Sequence, residues 1–260
     1  MPSPSNTYNK QNSILDIRHH KTLEDIVPRI RNLKERLHTL ALPDYNKGIV
    51  NSACSELLDP GSINKNLTPF KLHSYNLDEI SQLKDEDLPR YLFYRFRYET
   101  FPQRLQSDDF PPCLQIEPAS ICNYRCLFCY QIDEEFTLKS NGMMGTMSLD
   151  LFKQIIDQAD GKCEAITLAS RGEPLICPDF ESMIRYTGGK FLALKLNTNA
   201  WFLDEKTCHA ILDAEVSTVV FSADAATEPT YSQLRVNGSL EKVYDNIKLF
   251  QEIREKHFSE

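Results

Sequence analysis

The sequence predicts an α/β protein, with parallel strands in its carboxy-terminal part preceded by a mainly helical amino-terminal region. Two observations carry this. From Cys113 onward, short aliphatic runs alternate with segments whose apolar residues recur at helical spacing, the pattern of a parallel sheet with crossover helices. Before that point the periodic segments read as helices, and the pair Pro111-Pro112 separates the two regimes. The 260 residues suffice for one large domain or two ordinary ones. The expected division is a disordered polar tail over 1–13, a helical region of unassigned role over 14–110, and an α/β core over 111–260.

Hydrophobic residues at 41% and charged residues at 25% describe a soluble globular chain. No apolar run is long enough to span a bilayer, and Met1 to Ser13 lacks the basic-then-apolar order of a secretion signal. The expectation is a cytoplasmic protein without membrane contact. A net charge of −8 gives no general attraction to nucleic acid.

In the amino-terminal region, Leu23, Ile26, Val27, Ile30, Leu33, Leu37 and Leu40 form a helical stripe interrupted at Pro28. Residues 43–72, rich in Pro, Gly, Asn and Ser, read as loop with short elements, and Asn76 as the cap of a helix starting near Leu77. Between Arg90 and Arg104, aromatics alternate with arginines, a mixture that can stack on nucleic acid. Tyr91, Tyr94, Tyr98 and Phe101 share one helical face, however, and a helix packing against the next domain is the favoured reading.

The α/β core reads as four strand–helix units. The expected strands are Leu114 to Glu117, Ala165 to Ala169, Phe191 to Leu196 and Ser217 to Phe221. Ser148 is the expected N-cap of the first crossover helix, and the last helix carries Leu240, Val243, Ile247, Phe250 and Ile253. Whether the sheet is open or curled into a barrel, its functional face is formed by the loops after the strand ends.

Those loops hold the chemistry. Cys122, Cys126 and Cys129 form Cys-x3-Cys-x2-Cys after the first strand. Three thiolates can hold three irons of a four-iron, four-sulfur cluster and leave the fourth open to bind another molecule. A structural zinc site would need a fourth ligand, and His73 and His209 are distant in sequence; a thioredoxin-like pair would leave Cys122 idle. Cys54, Cys113, Cys163, Cys177 and Cys208 are most simply small apolar side chains.

The cysteine motif, with Phe128 before its last Cys and Tyr130 after it, resembles the signature of the radical S-adenosylmethionine superfamily. Arg171-Gly172-Glu173-Pro174 is similar to that family's Gly-Gly-Glu-Pro, and Asn197-Thr198-Asn199-Ala200 follows the third strand. Ser222-Ala223-Asp224-Ala225 with downstream Arg235 resembles the branch that often carries a SPASM tail. The resemblance covers about Pro111 to Ile253 and implies a partial (β/α) barrel holding a 4Fe-4S cluster on Cys122, Cys126 and Cys129. It also implies S-adenosyl-L-methionine bound by Phe128, Tyr130, Gly172, Glu173, Pro174, Asn197, Asn199, Ser222, Asp224 and Arg235, with Glu173 facing its ammonium and Arg235 its carboxylate. No catalytic side chain is assigned.

The implied activity is reductive cleavage of S-adenosylmethionine to a 5′-deoxyadenosyl radical that abstracts hydrogen, the electron coming from an external flavodoxin- or ferredoxin-type donor. A peptide or protein substrate ranks first, a sugar or other small molecule second. An iron–sulfur protein inactive alone is a third reading, because the family's barrel has six units and four are expected here. The fourth strand is then expected to be an exposed edge. Two residues depart from the family pattern, Arg171 and Ala225 each standing where Gly is usual.

Overall fold

The computed structural model describes residues 22–64 and 67–258; the tail expected over 1–13 lies outside them. The described residues up to Ser107 form one compact unit and those from Asp108 a second.

The first unit is helical. Helix α1 (Leu23–Arg36) buries Ile26, Ile30 and Leu33 and runs on through Pro28, which does not interrupt it. Helix α2 (Asp44–Leu58) corrects the loop expected over 43–72: Val50, Ala53, Cys54 and Leu57 form a buried stripe that the surrounding turn residues obscured. Helix α3 (Ser74–Gln82) begins three residues before Leu77, with His73 as its cap. Asn76 is not the cap but its reciprocal partner, its Oδ1 accepting the His73 N–H at 3.0 Å.

Helix α4 (Leu88–Thr100) corrects the aromatic stripe. Tyr91, Leu92, Phe93, Tyr94 and Phe96 are buried on several sides while Tyr98 is exposed, and α4 packs against α2. Two of its arginines, Arg95 and Arg97, are buried. Arg95 lies against the rings of Tyr75, Tyr94 and Tyr98 and pairs with Glu99, and Arg97 covers the Phe93 ring at 4.4 Å.

The second unit is α/β. Strand β1 (Cys113–Ile116) leads into a loop containing the two-residue strand β2 (Arg125–Cys126) and the single-turn helix α5 (Glu134–Thr137). Then follow α6 (Leu149–Ala159), β3 (Ala165–Leu168), α7 (Phe180–Thr187), β4 (Ala193–Thr198), α8 (Glu205–Asp213) and β5 (Thr218–Phe221). The chain continues through α9 (Glu228–Leu234), β6 (Arg235–Val236) and α10 (Leu240–His257). Ser148 caps α6 as expected, its Oγ accepting the Leu151 N–H at 3.3 Å.

The sheet is four parallel strands in the order β1-β3-β4-β5. Each strand joins beside its predecessor with no reversal of direction across the sheet, the progression of a (β/α) barrel rather than of a doubly wound fold. The crossover helices follow the same order, α6 on α7, α7 on α8 and α8 on α10. Among the described residues β5 is the last strand of the sheet, with Thr218 and Val220 exposed.

The register divides the sheet into two faces. Ile116, Leu168, Leu196 and Val219 share one row, and Leu114, Ile166 and Leu194 another on the same face; these residues belong to the apolar core with the helices. The intervening row is Gln115, Thr167, Lys195 and Thr218, with Asn197 two residues beyond Lys195. It is polar. Among the described residues no helix is long and apolar enough to cross a membrane.

Candidate functional site

A cavity of about 210 Å³ opens at the carboxy-terminal ends of the strands, where a (β/α) fold places its chemistry. Cys122, Cys126 and Cys129 line it together with Phe128, Gly172, Glu173, Asn197, Asn199, Ser222 and Arg235. Ten of the thirteen residues singled out in the sequence therefore meet here. The other three border it differently. Tyr130 is 49% exposed and packs edge-on against Phe136, Pro174 is buried at the start of a short 3-10 turn, and Asp224 reaches the site through Arg235.

The first wall is the cysteine loop. Its shape comes from Arg125, whose Nη1 donates to the carbonyls of Cys122 at 2.8 Å and Tyr124 at 2.7 Å, curling the loop on itself. The Tyr124 N–H donates to Cys122 Sγ at 3.4 Å. Below, Tyr124 is fully buried, edge-on to Trp201 and against Tyr231. Burial pushes the Cys122 thiol up to about 11, and it also raises Cys126 against the opposing pull of Arg235. As free thiols these groups hold their protons at neutral pH, and metal ligation would release them.

The second wall is the β3 exit. It crosses the cysteine loop so closely that a Cβ on Gly172 would lie 2.0 Å from the Ala119 carbonyl oxygen and 2.5 Å from that of Ile121. Only glycine fits. The crossing is held by the Glu173 N–H donating to Ile121 O at 2.9 Å, and by Gln131, whose Nε2 donates to the carbonyls of Ser120 and Arg171. Arg171, the departure from the family's glycine, lines the cavity, but its charge is engaged: Nη2 meets Glu117 Oε2 at 2.7 Å and the guanidinium covers Phe136 at 4.8 Å.

The third wall is the end of β4. The expected strand boundary at Leu196 is corrected to Thr198, since Asn197 and Thr198 pair with Val220 and Phe221 of β5, so Asn197 sits inside the strand. Thr198 donates its hydroxyl to Glu173 Oε1 at 2.6 Å and the Asn199 N–H donates to Oε2 at 2.7 Å. Glu173 is 2% exposed, and burial pushes its carboxyl up to about 6 despite these donors and Arg235. Asn197 Oδ1 is buried without a hydrogen-bond partner among the described residues. Beyond it the chain turns at Ala200, whose φ of 62° is left-handed, and Asn246 of α10 holds the turn by donating to the carbonyls of Ala200 and Trp201.

The last wall joins the expected Cys126 and Arg235 through a ribbon that was not visible in the sequence. Strands β2 and β6 pair antiparallel, placing Cys126 opposite Arg235 and Arg125 opposite Val236. Arg235 is 7% exposed; its Nε donates to Asp224 Oδ2 at 2.7 Å, and its Nη1 lies 3.8 Å from Cys126 Sγ. Its guanidinium also stands 5.7 Å from the centre of the Phe128 ring. Ala225 has no positive φ, so the missing glycine imposes no strain there. Asn123, Thr198, Gln131 and Asn246 complete the site unannounced: the first two lay within the quoted motifs, whereas the last two carried no local signal.

Among the described residues, no three His, Cys, Asp or Glu side chains close around a single metal ion. Cys54, Cys163, Cys177 and Cys208 are buried and Cys113 half-buried, in keeping with their apolar assignment.

The mycofactocin maturase of Mycobacterium tuberculosis is 27% identical over 135 residues, 51% of this chain and 32% of that protein. The GTP 3′,8-cyclase of Listeria welshimeri is 25% identical over 142 residues, 54% of this chain and 41% of that one. The AdoMet-dependent heme synthase of Methanosarcina barkeri is 26% identical over 142 residues, covering 54% and 39%. The chain thus spans about a third to two fifths of the length of these relatives. Among solved structures, BtrN in complex with AdoMet and 2-DOIA is similar at a TM-score of 0.38 and 21% identity, over 46% of this chain and 49% of that one. The profile of the Radical SAM superfamily matches residues 116–258, more than half of the chain, and the protein belongs to that superfamily.

Proposed function

We propose that this chain carries the cluster- and cofactor-binding core of a radical S-adenosylmethionine enzyme. One observation carries the reading: three thiols of one loop rim a cavity whose remaining wall offers a buried carboxylate, a buried guanidinium and an amide oxygen without a partner among the described residues. The residues fit the group. A four-iron cluster takes one thiolate per iron, so its ligands surround a body rather than a point, in keeping with thiols that share a cavity but do not close on one ion. Cys122, Cys126 and Cys129 would hold it and leave one iron for the cofactor.

The bound pair would supply one-electron cleavage of S-adenosylmethionine to methionine and a 5′-deoxyadenosyl radical that takes hydrogen from substrate. The protein's own task is to hold, orient and shield. Glu173 and Arg235 present opposite charges to the zwitterionic end of the cofactor, whose burial requires both. Asn197 Oδ1 is an acceptor awaiting a donor, which the ribose hydroxyls offer. Ser222 and Asn199 add polar groups on the same wall, while Phe128 contributes an apolar ring at the mouth. Gly172 lets the loop backbones close together, and Tyr130, Pro174 and Asp224 support the walls from outside.

The substrate reading is a peptide or protein, supported by the maturase relative and by the SPASM-like Ser222-Ala223-Asp224 segment with Arg235. A small-molecule substrate is the second reading, supported by the cyclase relative. An external flavodoxin- or ferredoxin-type protein would deliver the electron, and the cytoplasm suits a site built on reduced thiols.

Anaerobic reconstitution with iron and sulfide tests the core of this reading. The wild type should bind about four irons per chain with broad visible absorption. Changing Cys122, Cys126 or Cys129 to Ala should remove most of that iron, and Cys177→Ala should not. Stoichiometric zinc with no affinity for iron would overturn the proposal.

A further inference from the structure

We propose that Arg235 and Asn199 set the reduction potential of the cluster by donating N–H···S hydrogen bonds to two of its three thiolates, Cys126 and Cys122. This rests on the cluster reading above and adds a role that the cofactor-binding motifs do not assign.

Both side chains are oriented by independent partners, so their approach to sulfur is fixed. Arg235 Cα is set opposite Cys126 by the β2–β6 ribbon, extended by the Leu127 N–H donating to Leu234 O at 3.0 Å. Nε and Nη2 are both taken by Asp224, which turns Nη1 toward Cys126 Sγ at 3.8 Å. Asn199 is held just as firmly. Its Oδ1 accepts the Trp201 N–H at 3.0 Å, and a backbone N–H can only donate, so the amide cannot be flipped. Its Nδ2 then faces Asn123 Oδ1 at 2.9 Å and Cys122 Sγ at 3.9 Å. Hydrogen bonds to cluster sulfurs and charge near them are the protein's means of tuning potential.

The direction follows from charge. A donor on sulfur stabilises negative charge there and favours the reduced state, so both contacts raise the potential. Arg235 adds a full positive charge in a buried setting where it is weakly screened, and should contribute more than the neutral Asn199 amide. Asp224 is half exposed and offsets part of that charge, but its main effect is to aim the guanidinium.

The experiment is a redox titration of the reconstituted full chain, followed by electron paramagnetic resonance without S-adenosylmethionine, so that altered cofactor binding cannot contribute. Arg235→Met should keep its iron and shift to a lower potential, Arg235→Gln should shift less because it keeps a donor without charge, and Arg235→Lys should recover part of the loss. Asn199→Ser keeps an acceptor for the Trp201 N–H, adds no charge and is too short to reach Cys122, so it should also shift downward, by less than Arg235→Met. A merely structural role would lower iron occupancy without this ordered shift. Should Arg235→Met lose its cluster, Arg235→Lys and Asn199→Ser decide the matter. Clusters at full occupancy with unmoved potential would overturn the inference, whereas a wild type that binds no iron would instead overturn the reading beneath it.

Discussion

The two faces of the parallel sheet do different work. On one, Ile116, Leu168, Leu196 and Val219 lie in register against a layer of helices, and the first three are buried. On the other, Gln115, Thr167, Lys195 and Thr218 make a polar row that rises through Asn197 to the cavity. Parallel sheets commonly bury both faces, and their strands then read as unbroken apolar runs. Here β4 alternates strictly, Leu194, Leu196 and Thr198 buried and Ala193, Lys195 and Asn197 partly exposed. The difference teaches that one face holds the fold and the other, with the strand ends above it, holds the chemistry. Substitutions on the two should separate stability from iron binding.

The largest stability loss should come from the covered face. Leu196 is fully buried, so Leu196→Ala should cost about 2–5 kcal/mol in urea unfolding. Thr167→Ala, one row away on the open face, should stay within about 0.5 kcal/mol. Leu196→Ala should still bind iron at low temperature. Equal costs at the two positions would erase the distinction between the faces.

Gly172→Ala attacks the strand ends instead. Its new methyl would collide with two backbone carbonyls, which cannot swing aside as a side chain could. The cost should lie near the top of the ~1–3 kcal/mol range for overpacking. Unlike Leu196→Ala, it should also reduce iron occupancy, because the loop it displaces runs from Ala119 into Cys122. Iron content measured beside stability distinguishes the two kinds of damage.

This division was partly legible in the sequence. The four strands, the cysteine triad and Glu173 stood out because strands, thiolates and a Gly-Glu-Pro turn each leave a compact local signature. The ribbon that seats Arg235 against Cys126 did not, for strands of two residues have no periodicity to detect. Helix α2 was masked for the opposite reason: Pro43, Gly48, Asn51 and Ser52 read as turn residues, yet burial of Val50, Ala53 and Leu57 outweighs those local preferences. Gln131 and Asn246 were invisible because their partners are distant backbone carbonyls, and no spacing predicts such bonds.

Glu173 gives the next, smaller effect, and its sign runs against the usual carboxylate. Burial, the largest influence, lifts its pKa from 4.5 to about 6, outweighing the donors that favour its charged form. Between those values the folded chain binds more protons than the unfolded one. Stability from this group is therefore present below about 4.5 and lost as pH rises through about 6, by roughly 2 kcal/mol. Glu173→Gln should remove that slope, which urea midpoints of the two proteins across this pH range would reveal. A parallel pH dependence in both would mean that Glu173 is not desolvated, and that water reaches the β4 end of the cavity.

The smallest effect should come from Arg171, at the rim of the site. Its guanidinium is 39% exposed and its partner Glu117 is 20% exposed, so the pair is only partly shielded from solvent. Burial alone would raise the Glu117 carboxyl, but the hydrogen bonds from Arg171 outweigh it and hold the group below its ordinary value. The stabilisation is thus present at neutral pH and fades as pH falls through the folded carboxylate's range. Arg171→Ala should cost no more than about 1 kcal/mol at neutral pH, less in high salt, and nothing once Glu117 is protonated. Because the Arg171 N–H also donates to Glu117 Oε1 at 2.7 Å, part of the restraint survives the substitution and iron occupancy should be unchanged. A loss well above this, independent of salt, would show that the rim belongs with the covered face as part of the fold's framework and that the division between the two faces does not extend to the loops.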